Sequence, residues 1–169
     1  SQQLNITCGM QDRVIQVYQG CQFMDFDERL MTERGYGCYE NIDTVRLPPL
    51  YLAYDPGRAE ISGRYHRKLR VLFEDKKSDI VAAMTDFAGF AQEGYAALVA
   101  GRPEALPALI DANFDLRDRI FNVSEENRRM VQTARRAGAS AKFAGSGGAI
   151  VGTYEDESMY KRLVDDLSA

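Results

Sequence analysis

Apolar positions divide the chain into a short N-terminal region and a longer region that follows the prolines at 48–49. In the first region, residues 10–19 predict a short helix and residues 21–26 predict a strand. Residues 27–46 are charged and contain glycines at turn positions, so they predict irregular structure. The first 47 residues hold too few apolar positions for a core of their own. We therefore expect them to pack against another part of the protein.

The longer region has the stronger periodicity. Residues 50–54 form a compact apolar run typical of a buried strand. Residues 78–100 repeat apolar side chains three and four positions apart, which predicts the longest helix of the chain. Further helices are predicted over residues 64–75, 103–121, 124–136 and 156–167, and short strands over 141–144 and 149–154. This order predicts an α+β fold in which helices pack on a small antiparallel sheet.

Charge and composition remove several classes of protein. The 169 residues contain 21 Lys and Arg against 25 Asp and Glu, a formal net charge of −4. This acidic balance argues against a nucleic-acid partner but leaves room for a local basic site that binds a small phosphate. No apolar run approaches the roughly 18 residues of a membrane-spanning helix, so we expect no membrane partner. The three cysteines suit neither a disulfide framework nor a zinc site, and they favour a cytoplasmic protein.

Glycines dominate the segment Gly145, Ser146, Gly147 and Gly148. Glycines permit positive φ angles and let backbone N–H groups converge on an anion without obstruction by Cβ atoms. Lys142, three residues upstream, could add a positive charge. The segment lacks the third glycine of a dinucleotide-binding fingerprint and the Gly-Lys-Ser/Thr of a P-loop. Two interpretations therefore remain open, a simple hairpin turn and a phosphate-binding loop.

Polar side chains interrupt the apolar face of the helix predicted over 103–121. Asn113 and Arg117 share that face with leucine and isoleucine side chains. Because an unpaired buried guanidinium is very costly, the pair belongs either to a structural ion pair or to a pocket for an anionic ligand. The single histidine, His66, lies in a basic run that is either a solvated helix face or a source of positive charge for an anionic substrate.

Three segments, in this order, resemble motifs of the GHMP family of sugar kinases. Residues 8–13 (CGMQDR), followed by YQG at 18–20, resemble the segment that carries the family's catalytic aspartate. Residues 113–119 resemble a helix of galactokinase-like and heptose-kinase-like members. Residues 138–148 resemble the glycine-rich third signature motif. The resemblance covers essentially the whole chain.

The glucuronokinase type is the member that the chain most resembles, with further support from residues 47–52 (LPPLYL) and from Ser62-Gly63 before His66. The resemblance implies ATP- and Mg²⁺-dependent phosphorylation of a sugar, a uronic acid such as glucuronate, at the anomeric hydroxyl. Alternatives are a kinase for fucose, arabinose, galactose or a heptose phosphate, and a non-catalytic ligand-binding or regulatory half.

Family members have two domains around a cleft, so the resemblance implies that residues 1–47 are the tail of the N-terminal domain and residues 48–169 the C-terminal domain. The family's Gly/Ser-rich ATP loop does not occur in this sequence, which starts at Ser1 without an initiator Met. We therefore expect an N-terminal kinase half, in cis or as a separate chain. This chain alone would then be inactive.

The resemblance also implies roles for individual residues. Asp12 takes the role of general base toward the sugar hydroxyl. The phosphate and ATP loop is assigned to Lys142, Gly145, Ser146, Gly147 and Gly148. Candidates for sugar binding are Ser62, His66, Asn113 and Arg117. An inward Arg117 would suit a carboxylated sugar, because guanidinium pairs well with carboxylate; the metal ligands stay unassigned.

Overall fold

A computed structural model describes residues 9–58, 78–121, 123–145 and 147–169. Three of the proposed site residues, Ser62, His66 and Ser146, lie outside these ranges. The helix predicted over 64–75 lies outside them as well.

The first part of the chain, residues 9–47, is called the N-terminal unit below. Helix α1 (Met10–Tyr18) leads into strand β1 (Cys21–Asp25), as predicted. Helix α2 (Glu28–Arg34) then connects β1 to strand β2 (Cys38–Ile42). The two strands pair antiparallel, from Cys21 opposite Ile42 to Asp25 opposite Cys38.

Helix α2 and strand β2 show that the prediction of irregular structure over 27–46 was wrong. The Asp27 carboxylate caps α2 by accepting a hydrogen bond from the Leu30 N–H at 3.0 Å. Gly35 ends the helix in the left-handed conformation, with φ of 77°. Four of the five residues of β2 are not buried, so the strand lacks the apolar alternation from which strands are recognised. Pairing with β1, rather than local pattern, defines it.

The second part, residues 48–169, is the C-terminal domain of this description, and its α+β architecture confirms the predicted fold class. Its sheet has the order β3-β5-β4, and all its pairs are antiparallel. The strands are β3 (Leu50–Tyr54), β4 (Lys142–Phe143) and β5 (Ala149–Thr153). The helices are α3 (Ser78–Val99), α4 (Leu106–Ile120), α5 (Glu125–Arg136) and α6 (Glu157–Ser168).

The core of this domain lies between the sheet and the helices. Val131 of α5 and Ile150 of β5 are completely buried. Phe114 of α4 meets Phe143 of β4 edge to face, with ring centroids 5.3 Å apart. Gly152 is required in β5, because a Cβ there would lie 1.7 Å from the Ser140 carbonyl oxygen. This packing fixes β4, and with it the residues on either side of Phe143.

The N-terminal unit is attached to helix α3. Phe23 of β1 stacks on Tyr95 of α3 with ring centroids 4.5 Å apart. The Tyr95 hydroxyl donates a hydrogen bond to the Glu40 carboxylate of β2. Arg46 donates to the carbonyl oxygens of Leu98 and Val99 at 3.2 and 2.6 Å, so its positive charge lies at the C-terminal end of α3, where a cation is favourable. The unit thus depends on the C-terminal domain for its position.

Candidate functional site

A cleft of about 530 Å³ lies where the N-terminal unit meets helices α3 and α4. Its apolar wall includes Phe23 of β1, Ile42 of β2 and Tyr95 of α3. The antiparallel pair β1–β2 is called the hairpin below, although α2 connects its strands. Its polar groups come from four elements of the chain, and they are Gln11 of α1, Gln22 of β1, Asn113 of α4 and Lys142 of β4. Apolar walls with a few converging polar groups are typical of a small-molecule site.

Lys142 is the one charged side chain among the cleft-lining residues that the structure describes. Its Nζ donates a hydrogen bond to the Phe143 carbonyl oxygen at 3.2 Å. Burial, and then the nearby positive charge of Arg117, lower the pKa of Lys142. Both effects disfavour the charged ammonium. An anion in the cleft would supply the missing counter-charge, so its binding would be favourable.

Arg117 lies against the start of the glycine-rich segment. Its Nη1 donates to the Gly145 carbonyl oxygen at 2.9 Å, and its guanidinium lies 4.8 Å from the centre of the Phe143 ring. Stacking on an aromatic face holds a guanidinium in a fixed plane. Arg117 therefore fixes the backbone at Gly145, and its assignment to the sugar stays a prediction.

The far end of the glycine-rich segment is fixed from a different element. Gly148 has φ of 73°, a left-handed conformation that favours glycine. Its N–H donates to the side-chain Oδ1 of Asn127 at 2.9 Å, and its carbonyl oxygen accepts from the Asp55 N–H at 2.9 Å. With Arg117 holding Gly145, the segment is anchored at both ends. The N–H of Gly148 is directed into the protein rather than toward a ligand.

Asn127 was not identified from the sequence as a site residue. It is 5% exposed, near the start of α5 and three residues after the capping Ser124. A detectable sign was present, because positions 127, 131 and 134 share one helix face and the other two are fully buried alanine and valine side chains. A polar residue on that face has to bond something inside the protein. Gln11 and Gln22, by contrast, carry no sequence pattern that marks them.

Asp12 lies in the first turn of α1 and is exposed. Its carboxylate accepts a hydrogen bond from the Gly9 N–H at 3.2 Å, the contact of a helix-capping residue. The next residue toward the N-terminus, Gln11, contributes to the cleft. The catalytic role of Asp12 therefore stays a prediction, and the cap gives it a measurable competing role.

Apart from Asp12 and Gly147, the sequence-proposed residues that the structure describes fall into two groups. Asn113 and Lys142 both line the cleft. Gly145 and Gly148 belong to the glycine-rich turn, and Arg117 donates a hydrogen bond to Gly145. Within the described ranges, no group of three or more His, Cys, Asp or Glu side chains could hold a metal ion. No helix in those ranges is long and apolar enough to cross a membrane.

Comparison with protein families and curated proteins adds sequence relationships to this geometry. Residues 95–169 match the family model described as GHMP kinases C terminal. Glucuronokinase 1 of Arabidopsis thaliana is 40% identical over 152 residues, which cover 88% of this chain and 42% of that protein. Probable glucuronokinase 2 of the same plant is 41% identical over 153 residues, with the same coverage. The chain thus spans less than half the length of these relatives.

Solved structures with similar coordinates agree on the fold. The crystal structure of L. major mevalonate kinase in complex with R-mevalonate matches with a TM-score of 0.69 and 20% identity, covering 80% of this chain and 42% of that one. A Lin0012 protein from Listeria innocua matches with a TM-score of 0.71 and 11% identity, covering 94% of this chain and 45% of that one. At these identities the likeness establishes the fold alone.

Proposed function

Because residues 95–169 match the family model of the GHMP kinase C-terminal domain and most of the chain is similar to glucuronokinases, we propose that this chain is the C-terminal part of an ATP-dependent sugar-1-kinase. Its substrate is a uronic acid such as glucuronate, phosphorylated at the anomeric hydroxyl. The chain covers 42% of its curated relatives, so the proposal includes an N-terminal kinase half, in cis or as a separate chain. We call the two together the complete enzyme, and place it in the cytoplasm.

The observation that carries the proposal is the chemistry of the cleft. Amide side chains of Gln11, Gln22 and Asn113 can donate to and accept from sugar hydroxyls. The ammonium of Lys142 supplies the one charge from the described lining residues, which suits an acidic sugar. The aromatic side chains of Phe23 and Tyr95 in the apolar wall supply a flat surface on which the sugar ring can pack.

Asp12 is the proposed general base. An anomeric hydroxyl is a weak nucleophile until its proton is accepted or its hydrogen bond is directed, and a carboxylate within about 3 Å can do either. ATP would supply the phosphoryl group and Mg²⁺ would offset negative charge on the phosphates. The residues of this chain that would face the phosphates are Gly145, Ser146 and Gly147, with Arg117 holding the carbonyl of Gly145 in place.

The domain boundary is part of the proposal. Residues 1–47 would be the tail of the N-terminal kinase domain, and residues 48–169 the C-terminal domain. In the N-terminal unit, the apolar side chains of Val17 and Val45 are 75% and 82% exposed. Such side chains are suited to contact with a further part of the protein.

The experiment is an ADP-release assay with the complete enzyme, Mg²⁺-ATP and a panel of sugars. We expect turnover with glucuronate and little with fucose, arabinose or galactose. Residues 1–169 alone should transfer no phosphate, since the ATP loop is not in this sequence. If the complete enzyme turned over only a neutral sugar, that sugar would replace the uronate as the proposed substrate. If no sugar were turned over, the result would favour a non-catalytic regulatory half.

A further inference from the structure

The position of Lys142 supports a role different from its assignment to the phosphate loop. Resting on the proposed function, we infer that the Lys142 ammonium binds the carboxylate of the sugar substrate and so makes the site selective for a uronic acid over its uncharged counterpart. The donor is the Nζ of Lys142 and the acceptor is a carboxylate oxygen of the substrate.

The first support is the position of the side chain. Lys142 lines the cleft together with Asn113, Gln22 and Phe23. The residues of the glycine-rich turn, from Gly145 onwards, are not among the cleft-lining residues that the structure describes. Lys142 therefore shares a wall with the side chains suited to a sugar, not with the backbone suited to phosphates.

The second support is the state of the ammonium. A lysine ammonium has three donors, and the Phe143 carbonyl oxygen takes one of them at 3.2 Å. Within the described ranges, no carboxylate forms a salt bridge with Lys142, and the charge that acts on it most is the positive charge of Arg117. A half-buried cation beside a second cation is costly. A substrate carboxylate would supply the counter-charge and occupy the remaining donors.

Arg117, the other cation of this region, is less suited to the same role. Its Nη1 donates a hydrogen bond to the Gly145 carbonyl oxygen, and its guanidinium lies over the Phe143 ring. Arg117 is not among the cleft-lining residues that the structure describes. The positive charge of Arg117 strengthens the attraction of the site for an anion, while Lys142 makes the contact.

The test compares D-glucuronate with D-glucuronamide, which has nearly the same shape and no charge, as substrates of the complete enzyme. Lys142→Met removes the charge at nearly constant length, and Lys142→Arg keeps it. Lys161→Met, at an exposed position of α6, is the matched control. We expect Lys142→Met to lower kcat/KM for glucuronate about 10- to 100-fold, mainly through KM, since a hydrogen bond to a charged group is lost. Glucuronamide should change less than about threefold.

Lys142→Arg should recover part of the preference for glucuronate, and Lys161→Met should leave both substrates unchanged. Equal losses for both substrates, or a loss confined to kcat, would overturn the inference, because Lys142 would then act on the fold or on the phosphoryl group. A complete enzyme that phosphorylates no sugar would refute the proposed function. In that case, calorimetry would still decide the inference by measuring the affinity of wild type and Lys142→Met for both ligands. The inference fails if wild type shows no preference for glucuronate, or if Lys142→Met keeps that preference.

Discussion

The N-terminal unit and the C-terminal domain differ in what holds them together. The unit buries two of its large apolar side chains, Val14 and Ile42, each at 7–8% exposure. The C-terminal domain encloses side chains such as Val131 and Ile150 completely. Burial of apolar surface is the main favourable contribution to folding. The C-terminal domain therefore has a core of its own, and the unit is held by its attachment to α3.

This difference explains where the cleft forms. A rigid wall comes from α4 and β4, which the core fixes through Phe114 and Phe143. The facing wall comes from β1 and β2, which few contacts fix to α3. Sites between a rigid and a less firmly held element can adjust to a ligand without disturbing the core. The cleft thus joins the two kinds of structure, and substitutions in each should have separable effects.

The largest expected effect concerns Asp12 in the N-terminal unit. Asp12→Asn keeps an oxygen that can accept the Gly9 N–H but cannot take up a proton at neutral pH. In the complete enzyme it should lower kcat about 10²- to 10⁴-fold while nucleotide affinity and Tm stay nearly unchanged. Measuring kcat and Tm on one preparation checks this. Near-normal kcat in this variant would leave Asp12 with the helix cap only, whose loss in Asp12→Ala should cost about 0.5–2 kcal/mol.

The next effect compares the same substitution in both regions. Ile150→Ala removes a fully buried side chain from the C-terminal core and should lower the free energy of unfolding by about 2–5 kcal/mol. Ile42→Ala removes a 7% exposed side chain beside the open cleft, where solvent can fill the space, so its cost should be smaller. Urea unfolding of both variants tests the difference. Equal costs would mean that the unit shares the core of the domain.

A smaller and local effect is expected at the attachment. Tyr95→Phe keeps the stacking on Phe23 but removes the hydrogen bond to Glu40. Hydrogen exchange of β1 and β2 amides should become faster by less than about tenfold, and exchange of β5 amides should not change. Tyr95→Ala, which also removes the stacking, should accelerate exchange in the hairpin further. Equal acceleration in β5 would show that the unit and the domain open together.

The smallest effect is a pH dependence at Lys142. Burial and Arg117 lower the pKa of this lysine in the folded protein, so its charged form destabilises the fold wherever both folded and unfolded lysines are protonated. Lys142→Met should therefore be more stable than wild type at neutral pH. The difference in free energy of unfolding between Lys142→Met and wild type should shrink as the pH rises from the pKa of Lys142 in the folded protein toward the pKa of an unfolded lysine, about 10.4. Urea titrations across this range, with Lys161→Met as control, measure it; a constant difference would contradict the lowered pKa.

Much of the C-terminal domain was predictable because local sequence determines its elements. Ser124 accepts the N–H of Asn127 as the predicted helix cap, and α3 follows the apolar repeat over 78–100 closely. The hairpin was harder, because β2 pairs with a strand some 17 residues away in the chain and shows little apolar alternation. Long-range pairing of a largely exposed strand such as β2 leaves no local pattern to detect.

In the candidate site, too, residues marked by a local sequence pattern were easier to predict than residues brought together by long-range contacts. Asn113, which interrupts an apolar helix face, and Lys142, which precedes the glycine-rich segment, were recognised from the sequence, and both line the cleft. Asn127 was missed although its helix face marked it, since its partner, the Gly148 N–H, lies 21 residues further on. Gln11 and Gln22 belong to the cleft only because the hairpin folds back on α3. No local rule relates glutamines to helices so distant in sequence.

The most direct test of the central claim is the identity of the product. The complete enzyme is incubated with Mg²⁺-ATP and glucuronate, and the product is examined by ³¹P NMR. The account predicts a phosphomonoester whose phosphorus couples to H-1 of the uronic acid, and its loss in Asp12→Asn. A phosphate coupled to any other sugar proton, or no phosphorylated sugar under conditions in which ATP is bound, would contradict it.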